Sequence, residues 1–138
     1  MRLYTYKMTT DIGFAPNPFC NILTLATCKP TIRRCADRGD MLVGFTAKTG
    51  HRMNGKVGKI LYIGIIDKIV TLGEYFNNPS YDMKKPDMEH DKQIYKVGDN
   101  CYRKDSGHKL GFEQLHCMHS NRKTGLRDDD RAKWDISG

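Results

Sequence analysis

The chain has 138 residues, 38% hydrophobic and 28% charged, which is the size and balance of one globular domain and too short for two sizeable cores. Its longest apolar run, Ile60 to Ile66, is far below what a bilayer-spanning helix needs, and Met1 to Thr10 lack the apolar stretch and cleavage site of a secretory signal; the expectation is no membrane partner and a cytoplasmic location. A formal net charge of +7 favours anionic partners, phosphates above all, because a positive surface concentrates them whether or not it reads them.

The predicted elements begin with Arg2 to Thr10, where Leu3, Thr5 and Lys7 alternate with Tyr4, Tyr6 and Met8. That period of two in aromatic and β-branched residues predicts a half-buried strand. Pro16 and Pro18 then rule out regular structure and stiffen the loop that runs to Lys29. Pro30 suits a first helical turn and Gly39 an end, so a short helix is expected between them. Met41 to Lys48 reads as a second strand and Lys59 to Val70 as a long, β-branched third; the two should pair through the glycine-rich, hairpin-like connection at 49–58. A helical turn is expected after Thr71, closed before Asn78 and Pro79. Ser80 to His90 is polar and aperiodic, a surface loop. Gln93 to Val97 reads as one more strand, followed by a turn at Gly98, Asp99 and Asn100. The domain is taken as 1–120, with 121–138 as a polar tail that is either disordered or packed on the domain.

Five cysteines, Cys20, Cys28, Cys35, Cys101 and Cys117, form an odd set with no C-x-x-C pair. This is the pattern of reduced thiols rather than of a disulfide framework or a zinc ribbon. Nothing matches a P-loop, a dinucleotide fingerprint or a Gly-x-Ser-x-Gly elbow.

The runs GFAPNPF, TLATCKPTIRR, GDMLVG, YIGIIDKIVTLGEYFNNP and KVGDNCYRKDSG, in that order, resemble the second of the nucleotide-modification-associated domain families over Arg2 to Ser120. The resemblance implies an α+β domain with a small curved mixed or antiparallel sheet, or a partly open β-barrel, and a few short helices. The layout is similar to PUA-like domains of the EVE and ASCH type. It also implies a role in acting on or recognising modified bases or nucleotides in phage and bacterial settings.

Candidate site residues fall in three places. Lys29, Arg33 and Arg34 at the predicted helix start suit a phosphate, since N–H groups and guanidinium forks converge on an anion there; a solvated basic face is the alternative. In the proline loop, Phe14 and Phe19 could stack on a base while Asn17 and Asn21 read its edge, with Thr27 in the same ligand set, or the phenylalanines are core and the asparagines turn-formers. Asp40 reads as a cap or turn residue before a catalytic one. Asp99, Asn100 and Tyr102 could converge on a ligand, with His108 as a further ligand or acid–base candidate.

His108, His116, Cys117 and His119 make a metal-like cluster that lacks a complete ligand pattern, so no metal and no cofactor is expected. Cys28 beside Lys29 has a nucleophile's setting, but no histidine adjoins it in sequence and a structural thiol is favoured. The leading reading is a binding module for a modified base or a phosphorylated nucleotide, including sequestration of a free nucleotide immune signal as an anti-defence device. Nucleic acid and a homo-oligomer are both allowed. The alternative is an enzyme modifying a nucleotide or DNA base, with Asp40, Asp99 or His108 as acid or base.

Overall fold

The computed structural model describes residues 1–48 and 58–138. The fold is α+β, and the chain divides into two compact units, Met1–Ile12 with Cys35–Ile69, and Gly13–Arg34 with Val70–Gly138.

The first unit is a mixed three-stranded sheet in the order β1-β2-β3. Strand β1 is Leu3–Met8, with Tyr6 and Met8 buried as the alternation requires. Strand β2, Met41–Thr46, runs parallel to β1, pairing Leu3 with Met41 and Met8 with Thr46. Strand β3, Ile60–Ile65, is antiparallel to β2, as expected, with an irregularity in register at Gly44 and Phe45. Gly44 is closely packed: a Cβ there would lie 3.1 Å from both the Met8 sulfur and the Tyr6 ring. The third strand is shorter than the β-branched run that predicts it and ends at Ile65. Except for Gly58, the connection at 49–58 lies outside the described residues.

Asp40 organises the entry to this sheet. Its carboxylate accepts from the Arg2 backbone N–H at 2.7 Å, from Arg2 Nε at 3.1 Å and from the Asp37 N–H at 3.0 Å. The two backbone donors and the Arg2 charge hold its carboxyl below the usual carboxylate range, against the opposing effect of burial.

The second unit holds the proline loop, most of the helical turns and a two-stranded antiparallel sheet of β4, Tyr102–Lys104, and β5, Phe112–Gln114. Helix α1 is Pro30–Cys35, starting at the proline as predicted. Helix α2, Leu72–Asn77, is entered through a capping box in which the Thr71 side chain accepts from the Glu74 N–H and Glu74 accepts from the Thr71 N–H. A 3₁₀ helix, Pro79–Lys84, occupies the start of the segment read as a surface loop. Where alternation predicts a strand at Gln93 to Val97, the chain makes a helical turn, α3, Gln93–Lys96, closed by the Val97 N–H on the Gln93 carbonyl at 3.2 Å. A stretch this short satisfies a period of two and one helical turn equally well, and local hydrogen bonds decide. Helix α4, Asp129–Ile136, lies in the polar segment; Asp128 caps it by accepting from the Arg131 N–H at 3.1 Å, and Ala132 and Asp135, one turn apart, are both fully buried.

A buried polar network fixes the proline loop from within. Asn17 and Thr24 exchange backbone hydrogen bonds at 2.8 and 2.9 Å, and the Asn17 side chain donates to the Gly13 and Val97 carbonyls. The Lys84 ammonium, 1% exposed, donates to Asn17 Oδ1 at 2.7 Å, to the Asn17 carbonyl and to the Ile22 carbonyl. Asp99 accepts from Thr24 Oγ1, the Ala26 N–H and the Tyr75 hydroxyl. Burial pushes the Asp99 carboxyl up and the Lys84 ammonium down; the hydrogen bonds to Asp99 oppose the first shift and the Asp99 charge opposes the second.

Candidate active site

The loop delivers Cys28 to two residues far away in sequence. Cys28 Sγ lies 3.3 Å from His119 Nε2, and His119 Nδ1 lies 2.6 Å from Asp135 Oδ2. Asp135 has no solvent exposure and does more than face the histidine. Its Oδ1 accepts from the Cys28 backbone N–H at 2.7 Å, and its Oδ2 also accepts from the Tyr102 hydroxyl at 2.5 Å. Gln114 donates to that hydroxyl at 3.1 Å and accepts from the Asp128 N–H at 3.2 Å. Thiol, imidazole and carboxylate are thus in line, and burial increases along the series from a half-buried thiol to a fully buried carboxylate.

The backbone at the thiol is unusual. Cys28 and Lys29 have φ of 56° and 44°, a left-handed conformation that is uncommon for any residue but glycine, here adopted twice in succession. Such conformations persist where surrounding bonds over-determine them. The Cys28 N–H is fixed by Asp135; its carbonyl accepts from Arg33 Nε at 2.7 Å; and the same guanidinium donates to the Asp135 carbonyl. The Arg33 N–H closes the first turn of α1 on the Lys29 carbonyl at 3.1 Å. Arg33 therefore ties the strained turn to helix α4.

Electrostatics favours a charged ring at His119. Burial lowers its pKa, but the hydrogen bonds to Asp135 and Cys28 together with their charges outweigh burial and raise it to about 10. The Phe14 ring packs edge-on against the imidazole, centroids 4.7 Å apart. Burial and then Asp135 raise the Tyr102 phenol, keeping it a donor. Tyr102→Phe is expected to destabilise the fold by about 1–3 kcal/mol, because Gln114 loses its acceptor. It should also move the His119 titration upward, because Asp135 loses a donor that disperses its charge. Proton NMR of the His119 ring measures that shift, and urea unfolding the stability loss.

The three side chains also offer ligand atoms within 4.8 Å of one another. The geometry is that of a relay rather than a cage. Nδ1 and Oδ2 face each other at hydrogen-bond distance and Oδ1 is held by the Cys28 N–H, which leaves Sγ and Nε2, fewer donors than a zinc site uses. Among the described residues, His108, His116, Cys117 and His119 do not gather into a ligand group; His108 Nδ1 instead lies 2.9 Å from Arg127 NH1. All five cysteines are free thiols.

Of the residues singled out from sequence, the structure brings Phe14, Arg33 and Tyr102 to this triad, each in a supporting place. Lys29 follows Cys28 in the chain, and Arg34, exposed, donates to the Ser137 carbonyl at 3.0 Å. Asn17, Asp99 and Asn100 are buried in the network that fixes the loop, Asn100 donating to the Tyr75 and Tyr81 carbonyls. Thr27 is fully buried, its hydroxyl without a hydrogen-bond partner among the described residues. Asp40 is in the first unit, engaged with Arg2 and Asp37. The sequence reading considered Cys28 without a partner histidine beside it, weighed His119 only within a metal-like cluster, and did not single out Asp135. The usable signal is a cysteine with a histidine and an aspartate elsewhere in the chain, since such partners meet in space and not in sequence.

No curated protein and no solved structure matches this chain. The family model described as nucleotide modification associated domain 2 matches residues 1–138, the full length, and the chain belongs to that family.

Proposed function

We propose that this protein is a thiol-dependent enzyme of nucleotide modification, with Cys28 as nucleophile, His119 as the charged ring that holds the thiol's proton beside the sulfur and returns it, and Asp135 as the group that orients the ring. The observation that carries this reading is the Cys28–His119–Asp135 line, with the ring nitrogens 3.3 Å from the sulfur and 2.6 Å from the carboxylate. A nucleophile within reach of a base that is itself oriented by a third group is the arrangement by which side chains of modest reactivity form covalent intermediates. A carboxylate that also grips the nucleophile's own amide places thiol and ring in one rigid frame. Family membership supports a nucleotide or nucleobase as the substrate, and Lys29 next to the thiol adds positive charge suited to its phosphate.

Alkylation of the intact chain with iodoacetamide, followed by peptide mass mapping, tests this directly. Cys28 should react about tenfold faster than the more exposed Cys35. His119→Gln should remove that advantage, and a mixture of deoxynucleoside monophosphates should protect Cys28. Preferential reaction of Cys35, or an unaffected rate in the His119 variant, would overturn the enzyme reading. Protection without enhanced reactivity would instead favour the nucleotide-binding module, including one that sequesters a free nucleotide signal.

A further inference from the structure

The line of groups at Cys28 limits which electrophile the thiol can serve. His119 Nε2 is 3.3 Å from Sγ, and the ring's other nitrogen is closed off by Asp135 at 2.6 Å. A proton taken from the sulfur therefore stays on Nε2, within about one bond's reach of whatever atom the sulfur attacks. It is useful there only if the atom that must accept it is bonded to the attacked carbon. Attack on a pyrimidine ring carbon develops charge across the ring and calls for a second acid on the far side. The neighbouring groups that might provide one are engaged: both Asp135 oxygens hold donors, and Arg33 Nε is on the Cys28 carbonyl. Disulfide chemistry calls for a second thiol at Sγ. Cys101 and Cys117 are instead buried, and the Cys101 thiol donates to the Gly98 carbonyl at 3.4 Å.

We propose that the electrophile is an acyl carbon, the carbonyl of an ester, thioester or amide carried on the nucleotide, and that Cys28 holds the acyl group as a thioester. The inference rests on the thiol-enzyme reading above. In the first half-reaction the sulfur lone pair forms the S–C bond, the C–N, C–O or C–S bond to the leaving group breaks, and the proton held at Nε2 goes to that leaving atom. In the second, water or an amine attacks the thioester carbon and gives its proton to Nε2; the S–C bond breaks, and the proton returns to sulfur. No electrons are gained or lost overall. The half-buried thiol on a left-handed turn, backed by a buried carboxylate, suits this cycle: substrate and acceptor approach from the sulfur side while the proton store behind it stays dry.

The test uses p-nitrophenyl acetate on the intact chain at neutral pH, with acid quench, intact mass and peptide mapping. Expected are a burst of p-nitrophenol stoichiometric with protein and an acetyl group on Cys28 that neutral hydroxylamine removes. His119→Gln should slow both acetylation and discharge of Cys28 by about 10²–10⁴-fold, with background acetylation of Cys35 unchanged. If Cys28 alkylates readily with iodoacetamide yet carries no more acetyl than Cys35, the acyl assignment is overturned and the nucleophilic thiol stands. If Cys28 is favoured by neither reagent, the thiol-enzyme reading falls as well.

Discussion

Cys28→Ala in the intact chain is expected to lower turnover of p-nitrophenyl acetate by at least about 10³-fold, the scale of losing the nucleophile of a cooperating set. Stability should change by less than about 1 kcal/mol, since alanine keeps the Cβ and the backbone conformation of the turn. The contrast follows from how the turn is held. The strong bonds at this residue, from its N–H to Asp135 and from Arg33 to its carbonyl, belong to the backbone and survive truncation of the side chain. Only the contact of sulfur with His119 is lost. Cys28→Ser keeps a hydrogen bond to the ring and should be nearly as inactive, because a hydroxyl at that place is a far weaker nucleophile than a thiolate. Turnover at the parent rate in the alanine variant would remove Cys28 from the chemistry.

The second large effect is at Asp135. Asp135→Ala should destabilise the protein by about 3–5 kcal/mol, because the Cys28 N–H, the Tyr102 hydroxyl and a charged His119 all lose a buried acceptor. The same change should remove a limb of the pH–stability curve. The His119 pKa is raised in the folded protein from 6.5 to about 10. A raised value means that the folded state holds the proton more tightly than the unfolded chain does. Its stabilising contribution is therefore complete below pH 6.5 and is lost as pH rises from there through about 10. Urea midpoints of the parent chain should fall across that window, and those of Asp135→Asn, which keeps the side-chain volume, should be flatter. Parallel curves for the two proteins would show that Asp135 does not hold the ring charged.

Much of the scaffold was readable from residue pattern. The alternation in Leu3–Met8, the β-branched run at Ile60–Ile65, the proline that opens α1 and the Thr71–Glu74 capping box are each a local cause with a local effect, so sequence suffices. What the pattern did not show has a different origin. Gln93 to Val97 is too short for its period to choose between strand and helical turn. Asp99, Asn100 and Asn17 were read as possible ligand groups, and the structure gives each a buried place whose partners come from elsewhere in the chain: Lys84 for Asn17, Thr24 and Tyr75 for Asp99, and the Tyr75 and Tyr81 carbonyls for Asn100. Asp135 was hidden for the converse reason: a helix whose other side chains are largely polar gives no apolar stripe to announce a buried face, and only Ala132 one turn earlier shares it. Cys28 was noticed for its neighbours in sequence and weighed down for lacking a histidine among them. Catalytic partnership is a property of distance in space, and the relevant separations, 91 residues to His119 and 107 to Asp135, lie beyond any local window.

The bond between the Cys28 amide and Asp135 Oδ1 makes the Cys28–His119–Asp135 cluster observable without a ligand. An amide proton directed at a buried carboxylate over 2.7 Å is deshielded and slow to exchange with solvent, although it belongs to an irregular loop. In a nitrogen–proton correlation spectrum that single resonance would stand apart. Because the same carboxylate carries the imidazole, a pH titration of the ring or the arrival of an acyl group on the sulfur would each be recorded as movement of one peak.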